Sequence, residues 1–236
     1  MKKVNIYLMN KGGVGKTPLV IFTLEKLLKG EKKDFLIIDC DSNKHSLFER
    51  FESNKDIQKT IRTMSLSLGE NANLDYSQLE TFFTNLSNGK SKEYYIDFGQ
   101  DDSNALIKFL NTSGANTIAE GIRDLGIELT LCPVIAVGDI DCVNGLEKLV
   151  IAAENEFKIV PYANLLNASG KEDANLLRLE KYCTDNRLKL LNFNHPNLAD
   201  GQRLGIHNYL VSGFSRALGF GTKGVYAKII DTLEIA

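Results

Sequence analysis

Short apolar runs alternate with longer periodic segments along this 236-residue chain. Continuous apolar stretches at residues 4–9, 34–39 and 94–99 predict buried strands, because a strand covered on both faces has no need of polar alternation. Residues 127–137 predict a further strand with Pro133 inside it, 157–163 another with Pro161 near its end, and 188–193 a last one. Helical spacing predicts helices over 18–28, 75–86 and 143–153, a helical turn over 46–51, and a helix starting over 103–110. Leu79, Phe82, Phe83 and Leu86 share one helix face, and Leu146, Leu149, Val150 and Ala153 another. Both faces read as core, and residues 88–92 as a polar turn. Strands alternating with helices predict an α/β fold: one doubly wound, mostly parallel sheet with helices on both faces. No repeat, low-complexity segment or linker interrupts the pattern, so residues 1–236 read as a single domain.

Between the first strand and first helix lies Asn10-Lys11-Gly12-Gly13-Val14-Gly15-Lys16-Thr17. It matches the phosphate-cradling pattern G-x-x-x-x-G-K-[ST] at every fixed position but the first, where Asn10 stands. Gly12, Gly13 and Gly15 let backbone N–H groups converge on an anion without a Cβ in the way. The helix N-terminus adds partial positive charge. Lys16 would reach the β- and γ-phosphates and the Thr17 hydroxyl would bind Mg²⁺. The plain alternative is a glycine-rich turn with two solvated lysines.

Acids follow at two strand ends, where ligands bind in parallel sheets. Asp39 and Asp41 close the second strand; Asp97 and Gly99 close the run at 94–99. A strand-end acid assists Mg²⁺ in phosphate-loop enzymes, and a nearby glycine N–H senses the γ-phosphate. Asp97 and Gly99 fit those roles. Capping and turn chemistry are the alternatives for all of these residues.

The extra lysine at the head of the loop carries a resemblance. Lys11-Gly12-Gly13-Val14-Gly15-Lys16-Thr17 resembles the deviant phosphate loop of the ParA/MinD group of ATPases. The resemblance implies ATP and Mg²⁺ as ligands, and slow hydrolysis. It also implies an ATP-bound homodimer in which Lys11 reaches the partner's nucleotide. By the same resemblance Lys11, Lys16 and Asp41 are catalytic, with Asp41 orienting or deprotonating the attacking water, and Asp39 holds a magnesium-bound water. Asn164 would meet the adenine edge, a plain turn asparagine being the alternative, and the loop 194–197 would form the other wall of the base pocket. Pro18 departs from the Thr or Ser of many relatives and offers neither N–H nor hydroxyl, so nucleotide affinity is expected to be lower. Ser42 stands where relatives carry proline, and His45 follows, which alters the switch sequence. Asp97-Phe98-Gly99, Val137-Gly138 with its following helix, and Tyr162-Ala163-Asn164 look similar to the TraL/StbB-type branch, associated with conjugation and plasmid stability. A partner protein, unidentified, is implied.

Composition narrows the partners. Lys+Arg 28 against Asp+Glu 30 gives a net charge of −2, so nucleic-acid contact would need a local patch. Residues 201–228 contain no acid but carry Arg203, Arg216, Lys223 and Lys228. The resemblance implies non-specific DNA binding there, and an ordinary solvated helix face is the alternative. Cys40, Cys132, Cys142 and Cys183 show no C-x-x-C spacing, which fits reduced thiols in a cytoplasm. No apolar run has spanning length, and residues 226–236 carry only Lys228 as a base, so no membrane attachment is expected. Two other classes share the loop: a metabolic enzyme that uses ATP to activate a carboxylate, and a module whose nucleotide is structural.

Overall fold

In the computed structural model, which describes residues 1–41, 45–66, 68, 73–168, 173–195 and 198–236, the chain starts with β1 (Lys2–Leu8) and α1 (Lys16–Lys29). β1 is buried from Val4 onward, as its unbroken apolar run demands of a central parallel strand. β2 (Phe35–Cys40), α2 (Ser46–Arg50), α3 (Lys55–Gln58) and β3 (Ile61–Thr63) follow. Next come α4 (Tyr76–Asn88), β4 (Glu93–Phe98), α5 (Gln100–Ser113) and α6 (Ala115–Asp124). The second half comprises β5 (Ile127–Ala136), α7 (Ile140–Ala153), β6 (Lys158–Ile159) and β7 (Tyr162–Asn164). It ends with α8 (Ala174–Asp185), β8 (Leu191–Phe193), α9 (Asp200–Val211) and α10 (Phe220–Thr232).

The strands form one sheet in the order β3-β2-β4-β1-β5-β7-β8, with β6 also paired to β5. Every pairing among the described strands is parallel. The helices flank the sheet in two groups: α10 packs on α1 and α9, while α5 packs on α6 and α7, and α4 on α6. The chain leaves β1 in one direction to reach β2 and crosses to its other side in passing from β4 to β5. Such a reversal opens a crevice beyond the strand ends. It places the ends of β1, β2 and β4 beside one another.

The expected strand at 157–163 is split into β6 and β7, and the cause is local. Val160 N–H donates to Leu131 O at 2.9 Å, so Leu131 and, two residues on, Pro133 face this neighbour. Leu131 pairs with Ile159 and Val134 with Tyr162 at one common offset, which sets Pro133 opposite Pro161. Two residues without N–H meet, and the ladder stops there. β5 itself runs unbroken through Pro133. The helix expected at 103–110 begins earlier, at Gln100, directly after Gly99. The strand expected at 188–193 is regular only from Leu191. The α4 face is buried as its spacing predicts, and α7 buries Leu146, Leu149 and Ala153 with Val150 half-buried. The helix at 75–86 has Asp75 as its cap: Asp75 Oδ1 accepts from Gln78 N and Gln78 Oε1 from Asp75 N, both at 2.9 Å.

Candidate phosphate-binding site

The loop from Met9 to Gly15 turns directly into α1. Gly13 and Gly15 lie at φ +74° and +104°, conformations open to glycine. A Cβ on Gly12 would sit 3.1 Å from Gln100 Oε1, and one on Gly15 2.5 Å from Asn164 Nδ2. The first N–H groups of α1 have no helical carbonyl before them. They rim an open cleft of about 640 Å³, which Asp41, Arg50, Asp97, Gly99 and Gln100 also line. Pro18 lines it too, in the first turn of α1, where a missing N–H costs no helical hydrogen bond. A second cavity, about 400 Å³ between α4 and α6, is walled mainly by Leu79, Phe83, Ile118, Ile122 and Leu125. It lacks the convergence of a lysine, a hydroxyl and acids that marks the first.

Lys16 is buried and its ammonium donates to Lys11 O at 3.2 Å. Burial lowers its pKa, against the opposing pull of Asp97 and Asp41. Lys11 points the other way, with Nζ 2.6 Å from Asp139 Oδ2 and 3.2 Å from Asp141 Oδ2. Its hydrogen bonds to Asp139 and Asp141 raise its pKa. Asp139 also caps α7, Oδ1 accepting from Asp141 N at 3.1 Å.

The acids converge. Asp97 is 3% exposed, and burial, reinforced by Asp39 and Asp41, pushes its carboxyl up to about 7 against the hydrogen bond from Thr17 and the charge of Lys16. Its Oδ1 has no hydrogen-bond partner among the described residues. Asp39 is buried beside it, its pKa raised by burial, with Oδ2 accepting from Phe48 N at 2.9 Å. His45 Nδ1 lies 3.9 Å from Asp39 Oδ1. A Cβ on Gly99 would fall 2.8 Å from Asp41 Oδ1 and 2.7 Å from Asp102 Oδ2, so only glycine lets both carboxylates close on this turn. Gly99 N donates to Cys40 O at 3.2 Å in this conformation. Ser103 Oγ donates to Gly99 O at 2.7 Å and accepts from Met9 N at 3.2 Å, tying the loop's base to the β4 turn.

A divalent ion fits this donor set. The orphaned Asp97 oxygen, the Thr17 hydroxyl and the neighbouring carboxylates are hard oxygen ligands, which suit Mg²⁺. Among the described residues no three His, Cys, Asp or Glu side chains converge as a metal cage. An ion here would draw the rest of its shell from phosphate and water, as Mg²⁺ commonly does.

Asn164 ends β7 under the loop. Its Nδ2 donates to Val14 O at 2.9 Å, and its Oδ1 accepts from Leu166 N at 3.1 Å and Asn194 Nδ2 at 2.7 Å. Asn194 and Asn164 thus bond to each other; of the loop 194–197 expected as the other wall of a base pocket, Pro196 and Asn197 lie outside the described residues, as do Ser42, Asn43 and Lys44. The basic residues are carried elsewhere: Arg203 on α9, Arg216 after it, Lys223 and Lys228 on α10. Arg216, Lys223 and Lys228 are exposed, whereas Arg203 is half-buried and its Nε donates to Leu198 O at 3.0 Å. Sequence reasoning missed Arg50, Gln100 and Asp102. Gln100 directly follows the Asp-x-Gly turn, a visible signal; Arg50 lines the cleft from the end of α2, outside any motif.

No family model matches this sequence, and no curated protein matches it. Solved structures do. A plasmid partition protein from Borrelia burgdorferi bound to AMPPNP superposes with a TM-score of 0.60 at 12% identity, over 98% of both chains. The cell division protein MinD from Aquifex aeolicus gives 0.58 at 12% identity, over 99% of both chains. MinD in the MinC:MinD complex of the same organism gives 0.57 at 13%, over 98% of this chain and 93% of that one.

Proposed function

Given a fold of the ParA/MinD type, we propose that this protein is an ATP-dependent switch. ATP·Mg²⁺ binds the cleft and closes a homodimer, and slow hydrolysis opens it again. The observation that carries this reading is the meeting of Lys16 and Thr17 with Asp41 and the orphaned oxygen of buried Asp97 across one cleft.

The backbone of Gly12, Gly13, Val14 and Gly15 cradles the phosphates, and Lys16 leaves the Lys11 carbonyl to meet the β- and γ-oxygens. Thr17 and Asp97 would hold Mg²⁺, which would offset the charge on the phosphates, and Asp39 would accept a hydrogen bond from its water shell. Asp41 orients or deprotonates the attacking water. Gly99 exchanges its Cys40 partner for the γ-phosphate, and Lys11 exchanges Asp139 and Asp141 for the nucleotide of the second subunit. Asn164 and Asn194 border the base. The switch serves partition or stability of plasmid DNA, or conjugal transfer, in the cytoplasm, through a partner protein and through DNA contacts of Arg203, Arg216, Lys223 and Lys228. No helix among the described residues is long and apolar enough to cross a membrane.

Calorimetric titration with ATP·Mg²⁺ tests the site. The native protein should bind, and Lys16→Ala should lose about 1.5–3 kcal/mol of affinity, the scale of a hydrogen bond to a charged group. Equal binding by the two proteins would remove the cleft as the nucleotide site.

A further inference from the structure

Arg50 is the last residue of α2 and lines the phosphate cleft beside Asp41, Asp97 and Gly99. No loop motif predicts it. Its placement follows from how α2 is fastened. Leu47 and Phe51 are fully buried. Phe48 N–H is held by Asp39 Oδ2. The Phe51 ring meets Phe214 edge-on at 5.0 Å, and Phe214 stacks on Tyr209 at 4.9 Å. Gly213 presses against the Arg50 carbonyl, where a Cβ would collide. The backbone of Arg50 is therefore clamped from the α9 side, and its side chain, half-buried, is directed to the acids of the cleft. Burial lowers the pKa of the guanidinium while Asp97 and Asp39 oppose that shift, which is the environment of a cation kept near carboxylates rather than in free solvent.

We propose that Arg50 contacts the terminal phosphate of the bound nucleotide, so that the cleft distinguishes a nucleoside triphosphate from a diphosphate. The proposal rests on the ATP reading above. Three reasons support it. Arg50 lines the same cleft as Lys16, Thr17, Asp41 and Gly99, and Asp97 and Asp39 act on its charge. A planar guanidinium offers two parallel N–H donors to phosphate oxygens, which an ammonium cannot. Carboxylates at Asp41 and Asp97 would repel a γ-phosphate, and a second cation lining the same cleft as Lys16 offsets that repulsion.

The competing role is that of a counter-ion for Asp39 and Asp97 with no ligand contact. The two roles separate when affinities for AMPPNP and for ADP, each with Mg²⁺, are measured on the native protein, Arg50→Ala and Arg50→Lys. With ligand contact, Arg50→Ala weakens AMPPNP about tenfold or more while ADP stays within about twofold. Arg50→Lys falls between, retaining charge without the fork. Equal losses for both nucleotides, or no loss for either, would overturn the contact. Native protein that binds neither nucleotide would instead overturn the ATP reading, and the contact with it. Arg50→Lys keeps the assay decisive if Arg50→Ala fails to fold.

Discussion

Asn164 joins the end of β7 to the loop's Val14 carbonyl through one buried hydrogen bond. Its removal leaves that carbonyl without a partner at a cost of about 1–3 kcal/mol. Asn164→Ala should therefore weaken binding of pyrophosphate, which has no base, by about threefold or more as the loop loosens. Unchanged pyrophosphate affinity in a calorimetric titration would remove the anchoring role and leave Asn164 only a base contact. Lys11 presents a different residue-scale balance. Its pairs with Asp139 and Asp141 are half-exposed, and ion pairs in such surroundings contribute little. In the proposed dimer, the second subunit's phosphate would compete for Lys11 against only that small term. The sequence showed Lys11 and its motif, but the two acids that hold it are more than a hundred residues away, and only the fold brings them to it.

At the scale of elements, legibility followed length and continuity of pattern. β1, α1, β2 and β4 were readable because each is an unbroken apolar run or a strongly periodic one. α6 escaped although Ala115, Ile118, Ala119 and Ile122 repeat at helical spacing, since Gly121 and its short length dilute the signal. α8 buries only Leu176, Leu179 and Cys183, and β3 has three residues, too few for period to speak. Arg50 was illegible for a related reason: α2 is five residues long, and it is fastened by distant partners, Asp39 on Phe48 N–H and Phe214 on the Phe51 ring. α9 and α10 carry the basic stretch. Arg216 and Lys223 are its exposed members nearest the turn between the two helices. If this surface holds DNA, Arg216→Glu with Lys223→Glu should lower retention at low salt and reduce the slope of log affinity against log salt by about one per phosphate contact removed. Native protein with no salt-dependent retention, with or without ATP, would end that assignment.

At the scale of the whole molecule, the parallel sheet places the glycine-rich loop after β1, the acids at the end of β2 and the Asp-x-Gly turn at the end of β4 around one crevice. Lys11 stands at its edge, 40% exposed, and the acids it touches lie on α7 and its cap rather than in the cleft. The proposed contact of Lys11 with a second copy's nucleotide has dimerisation on ATP as its consequence. Sedimentation velocity is the direct measure, with no nucleotide, with ADP, and with ATP·Mg²⁺, and with Lys11→Ala in ATP·Mg²⁺ beside them. A dimer is expected only for the native protein in ATP·Mg²⁺, and a monomer for Lys11→Ala under the same conditions. A native monomer in ATP·Mg²⁺, or a dimer indifferent to nucleotide, would contradict the proposed contact.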